Sequence, residues 1–131
     1  YQRMTAAVHA IKPGLLIFHN SGHIPRGRRD LFPYFTHLEL ESLPTGGWGY
    51  DHFPLSAKYC ATTGMDFLGM TGKFHTTWGE FGGYKNPVAL QYEAAAMLAW
   101  GSKCSVGDQL PPDGDIDRVT RMVEIAAKAR Y

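Results

Sequence analysis

Cysteine is nearly missing from this sequence: Cys60 and Cys104 are its only two in 131 residues. Two cannot make a disulfide framework, and they form no CxxC pair. Each reads as a small buried hydrophobe, the usual place of a free thiol. Charge of one sign is missing as well. Thirteen Lys and Arg face twelve Asp and Glu, for a net charge of +1. A nucleic-acid or membrane-surface partner would show as a basic excess, and neither is expected. The one basic run, Arg26, Arg28 and Arg29, is broken by Asp30 and reads as a solvated loop. No apolar run approaches the roughly 18 residues of a membrane helix. There is no GxGxxG after a strand, no HxH and no HExxH. The dinucleotide fingerprint and the common zinc spacings are therefore lacking, and neither cofactor nor metal is expected.

What is present is a rhythm. Four strand-like runs, Gly14–Asn20, His37–Ser42, Asp66–His75 and Lys103–Gln109, alternate with helix-like stretches. The helices are expected over Gln2–Lys12, Leu55–Thr63 and Pro87–Trp100, with a last one opened by Asp115 as its cap. A βαβα order calls for parallel strands joined by helical crossovers. Long βα loops rich in glycine and aromatic residues, Pro44–Tyr50 and Thr76–Tyr84, suit a closed barrel better than an open sheet. The expected fold is α/β: half of a (β/α)8 TIM barrel, four parallel strands alternating with helices, as one domain over residues 1–131. Half a barrel has two open sheet edges, which a second copy or the missing half would have to cover. The chain opens on Tyr1 and runs straight into a helix. It reads as a piece of a longer protein, and its cellular location is not legible.

In parallel sheets of this kind the site lies at the carboxyl ends of the strands. Those ends carry His19 and Asn20, then Glu39 and Glu41, then Lys73 and His75, then Asp108 and Gln109. Glu39 and Glu41, at i and i+2 on a strand, face one side, and Leu38 and Leu40 face the other. If the leucines pack under helices, both acids face the barrel axis. Charge placed there without partners costs several kcal/mol, so acid/base work, a nucleophile or sugar-hydroxyl binding is the expected role. The competing reading is a pair neutralised by Lys73 or His19. Lys73 reads equally as a group tuning the glutamates and as half of a structural ion pair. His75 suits a hydroxyl contact or proton transfer. Trp48 and Trp78, with Tyr50, Phe81 and Tyr84, offer flat faces to a sugar ring or serve as lids over the barrel mouth. Glu80 reads as a solvated loop charge. His19, Glu39, His75 and Asp108 would make a metal set only if they converged.

Three segments carry a resemblance. FHTTWGEFGGYK (Phe74–Lys85), YEAAAMLAWGSKCSVGDQLPPDG (Tyr92–Gly114) and THLELESLPTGGWGYDHFP (Thr36–Pro54) resemble bacterial glycoside hydrolases described as α-L-fucosidase-like or β-galactosidase-like. The resemblance implies a TIM-barrel catalytic domain, of which this chain would be the C-terminal half, strands five to eight. It implies a carbohydrate substrate and glycosidic bond cleavage. It also implies that strand four, which supplies a catalytic carboxylate in many barrel glycosidases, lies outside the chain.

The sequence thus leads to part of a glycoside hydrolase with Glu39 and Glu41 as catalytic candidates. His19, Asn20, Trp48, Lys73, His75, Trp78, Asp108 and Gln109 would line the substrate pocket. Two other readings stay open: a non-catalytic half-barrel that binds sugar or assembles, and a metal-dependent barrel hydrolase.

Overall fold

The computed structural model describes residues 1–20, 24, 27–78, 80, 83–108 and 124. Among them, three helices and a three-stranded parallel sheet form in the order α1 (Gln2–Ile11), β1 (Leu38–Glu41), α2 (His52–Ala61), β2 (Phe67–Gly72), α3 (Pro87–Ala99) and β3 (Lys103–Gly107). Short 3-10 turns occupy Arg29–Tyr34 and Pro44–Gly46. The sheet order is β1-β2-β3, with Leu38 beside Phe67 and Gly69 beside Cys104. Each crossover is a helix, as parallel neighbours require.

The pleat of β1 is the expected one. Leu38 and Leu40 are buried and Glu39 and Glu41 half-buried. The leucines share a core with Phe53, Ala57 and Cys60 of α2 and Met97 of α3. These helical residues recur at i, i+4 and i+7, and Leu90, Ala94 and Met97 do the same on α3. Such stripes cover one sheet face. Gly69 on β2 belongs to this helix side: a Cβ there would lie 2.7 Å from both Met97 and Phe53. Glycine is what lets both helices settle on the strand.

The helix ends follow local chemistry. The Asn86 side chain accepts a 2.9 Å hydrogen bond from the Val88 N–H, with Pro87 at the first helical position. Gly64 and Gly101, at φ of 73° and 77°, turn the chain out of α2 and α3 in the left-handed region that glycine alone enters freely.

Among the described residues three strands form where four were expected. The run Gly14–Asn20 joins no ladder among the described residues. The Thr36 N–H donates to the Ile17 carbonyl at 2.8 Å, but the Ile17 N–H donates to the Thr36 hydroxyl at 2.7 Å. A side chain takes the acceptor role that a neighbouring strand's carbonyl would fill, so no register is established. Leu15, Leu16 and Phe18 are exposed, so the apolar side chains of the run are not buried in the core. The Met4 and Ile11 face of α1 is likewise exposed. Gln109 and the helix expected after Asp115 lie outside the described residues, as does Phe81. No described helix is long and apolar enough to cross a membrane.

Candidate functional site

Strand alternation divides the sheet into a helix side and a glutamate face. In parallel pairing, residues in register point the same way. Glu39 is in register with Leu68, and Glu41 with Met70. Met70 is in register with Ser105, and Gly72 with Gly107. Leu68 is in register with Lys103, so the glutamate face carries Glu39, Glu41, Leu68, Met70, Gly72, Lys103, Ser105 and Gly107. Burial holds the Glu39 carboxyl above the usual carboxylate range, and the neighbouring charge of Glu41 adds to the effect. A carboxyl that keeps its proton to higher pH beside a second carboxylate is a standard setting for acid/base chemistry.

The carboxyl end of this face is capped by aromatic rings. Phe74 and Trp78 meet edge to face, with centroids 5.3 Å apart. Phe74 is buried, whereas Trp78 keeps 36% of its surface open. Glu80, in the same loop, turns back on Thr76: its Oε2 accepts from the Thr76 N–H and hydroxyl, both at 2.6 Å. These bonds, the hydroxyl's first, hold its carboxyl below the usual range. Glu80 fastens its own loop.

Lys73 and Asp108 come together in an ion pair of 2.9 Å with both side chains largely excluded from water. The Lys73 ammonium also lies 5.5 Å from the ring centres of Phe74 and Tyr84. The Lys73 N–H donates to the Gly107 carbonyl, which carries the β2–β3 register one residue further. By alternation Lys73 then shares the side of Thr71, away from the glutamates.

The remaining sequence-predicted residues are dispersed. His19 is fixed between the rings of Tyr1 and Phe35, at 4.6 and 5.0 Å, and hydrogen-bonds the Thr5 hydroxyl. Asn20 and His75 are exposed. Trp48 stands edge-on to His52 at 4.8 Å, in the turn after β1. Among the described residues no three His, Cys, Asp or Glu side chains converge as a metal site would require.

One cluster escaped the sequence reading. The Lys85 ammonium lies 2.6 Å from Glu93 Oε2 and donates to the Thr71 hydroxyl at 2.6 Å; that hydroxyl donates to the same carboxylate at 2.8 Å. Lys85, Glu93 and Thr71 are all buried. The Tyr50 hydroxyl reaches the other carboxylate oxygen at 3.5 Å, and a cleft of about 60 Å3 between α2 and α3 opens beside it. Glu93 is the one charged residue of α3, and it shares the stripe of Leu90, Ala94 and Met97. A lone charge on an apolar stripe was the available signal, because it demands a buried partner.

A parallel sheet with helical crossovers, two acids on its open face and aromatic loops at its carboxyl end is common to many barrel enzymes, so the fold alone decides no activity. Comparison with solved structures narrows it. This chain is similar to an α-L-fucosidase. Over 98% of its length it superposes on α-L-fucosidase isoenzyme 2 from Paenibacillus thiaminolyticus with a TM-score of 0.87 and 65% sequence identity. The match takes up 19% of that fucosidase, so this chain spans about a fifth of its length. No protein-family profile and no curated protein matches the chain. The likeness is to a glycoside hydrolase, a carbohydrate-cleaving enzyme, in line with the resemblance carried by the WGEFGG and GDQL stretches.

Proposed function

We propose that this chain is part of the catalytic (β/α)8 barrel of a glycoside hydrolase that cleaves α-L-fucosides. The 65% identity to a fucosidase over nearly the whole chain carries this reading. The open glutamate face supports it. In a closed barrel, further strands would continue the sheet past β1 and β3. Gly14–Asn20 would then be the strand before β1. Leu16 and Phe18, now exposed, would gain cover from the rest of the barrel or from a second copy.

Glu41 ends β1, at the level where barrels hold their substrates, and Glu39 lies one pleat repeat deeper. Glu39, which keeps its proton to higher pH, fits a general acid. Glu41 fits a nucleophile or an acceptor for a sugar hydroxyl. Both side chains leave one strand and approach the sugar from the same side. Glycosidases place two carboxylates across the scissile bond, roughly 5 to 9.5 Å apart. One of this pair would therefore work with a carboxylate from another strand. For that reason the chain by itself is expected to turn over little or no fucoside. Trp78 would meet the apolar C–H face of the sugar, with Trp48 at the rim. Lys73, Asp108 and Gln109 would shape the carboxyl end of the barrel, with His19, Asn20 and His75 around the pocket.

The test is a chimera in which this chain replaces its counterpart in the Paenibacillus fucosidase. Hydrolysis of 4-nitrophenyl α-L-fucoside by the chimera is the expected result. A chimera that melts cooperatively near the parent's temperature yet shows no turnover contradicts the reading and favours a non-catalytic sugar-binding or assembly role.

A further inference from the structure

The glutamate face holds two glycines at its carboxyl end, Gly72 and Gly107, in register on β2 and β3. A side chain at Gly107 could enter only if the Trp78 ring moved, and one at Gly72 would crowd its neighbours. A Cβ at Gly107 would overlap Cη2 of Trp78, stand 2.8 Å from Cζ3 of the same ring and 3.2 Å from the Met70 sulfur. A Cβ at Gly72 would stand 3.1 Å from Leu43 and from Phe74, and 3.5 Å from Trp78. The indole thus rests on bare backbone of two adjacent strands, and Phe74 supports it from the side.

The loop that carries Trp78 is fixed at its base. The Lys85 N–H donates to the Lys73 carbonyl at 2.7 Å, and the buried pairs Lys73–Asp108 and Lys85–Glu93 hold its two ends. Its start is pressed against the turn after β1, where a Cβ on Gly46 would overlap the Thr76 carbonyl. A ring this constrained on one side, with 36% of its surface still open, is a wall set before any ligand arrives.

We propose that Gly107 is a positioning residue for sugar binding: its missing side chain lets Trp78 lie across the ends of β2 and β3, where the open indole face forms the apolar wall of the sugar subsite beside Glu41. This rests on the glycosidase reading and names the residues that would set its substrate affinity. Glu41 is in register with Met70, and the Met70 sulfur lies beside the Gly107 seat, so acid and ring share one neighbourhood. An apolar wall suits the C–H face of a 6-deoxy sugar.

The experiment is a double-mutant cycle of Gly107→Ala and Trp78→Ala. In the chain itself, melting temperature and near-ultraviolet circular dichroism read the seat. Gly107→Ala is expected to lower the melting temperature and alter the tryptophan signal when Trp78 is present, and to do little once Trp78 is alanine. Equal effects in both backgrounds overturn the seat. In the fucosidase chimera, KM and kcat on 4-nitrophenyl α-L-fucoside read the subsite. Either single substitution is expected to raise KM roughly tenfold with kcat little changed, and the double no further. Coupled stability with an unchanged KM overturns the subsite while leaving the glycosidase reading intact. A folded chimera that never cleaves fucoside overturns the glycosidase reading, and the subsite with it; the seat is still decided by the melting cycle.

Discussion

Lys85 and Glu93 stand 2.6 Å apart with both side chains almost wholly excluded from water, one at the end of the β2–α3 loop and the other on α3. Thr71 of β2 bonds to both, so strand, loop and helix meet at a single polar point. Removing one member leaves the other charge buried without a counter-ion. Lys85→Ala or Glu93→Ala is therefore expected to cost about 3–5 kcal/mol, read from urea or thermal unfolding. The pair Lys85→Met with Glu93→Leu should cost clearly less than the sum of the single changes, since the desolvation penalty leaves with both charges. Additive losses would count against the coupling.

The two faces of β1 should respond oppositely to substitution. Leu40→Ala removes packing against α2 and is expected to cost about 2–5 kcal/mol. Glu39→Gln should instead stabilise at neutral pH. Folded, Glu39 keeps its proton to higher pH than it would unfolded. Its contribution to stability is thus full below the unfolded carboxylate range and is lost as pH rises through the folded pKa. The melting-temperature gain of Glu39→Gln should shrink toward zero on acidification. A gain that grows on acidification would mean the opposite shift.

Glu80 should show the reverse sign. Its carboxylate is held in the charged form by Thr76, so its contribution is present above the unfolded carboxylate range and is lost as pH falls through the depressed folded value. Its effect is local to the Trp78 loop. The unsubstituted chain is expected to show an acid-induced change of the near-ultraviolet tryptophan signal, and Glu80→Gln to alter that signal at neutral pH and abolish the acid-induced change. An unaltered acid transition would show that Glu80 does not fasten the loop.

The thiols should be slow. Burial pushes Cys60 up to about 12 and also raises Cys104. The thiolate is the reactive form, so both should react with Ellman's reagent far more slowly at pH 8 in the folded chain than in urea, and Cys60 more slowly than the half-exposed Cys104. Rapid labelling of Cys60 in the folded chain would contradict its burial against Leu38 and Leu40.

Much of this architecture was legible because it follows from short-range patterns. Alternation placed Leu38 and Leu40 on one side of β1 and the acids on the other. The stretches Gln2–Lys12 and Pro87–Trp100 became α1 and α3 to within a residue at either end. What escaped depended on partners distant in sequence. Gly14–Asn20 has the apolar content of a strand, yet a strand needs a neighbour's carbonyls, and Thr36 presents a hydroxyl to Ile17 instead. Lys85 and Glu93 read as ordinary charges until the fold set them against each other and against Thr71. Lys73 was equally readable as a site lysine or an ion-pair partner; the approach of β3 brings Asp108 to it. The seat for Trp78 depends on two glycines 35 residues apart that parallel pairing sets side by side.

The most direct measurement is the kcat of the fucosidase chimera on 4-nitrophenyl α-L-fucoside with Glu39→Gln and Glu41→Gln, singly and together, against the change Leu40→Val as a packing control. The account predicts that at least one glutamine variant lowers kcat by 100-fold or more, about the contribution of a positioned acid or base, while Leu40→Val leaves it nearly unchanged. Full kcat in both glutamine variants, with the chimera folded and active, would contradict it.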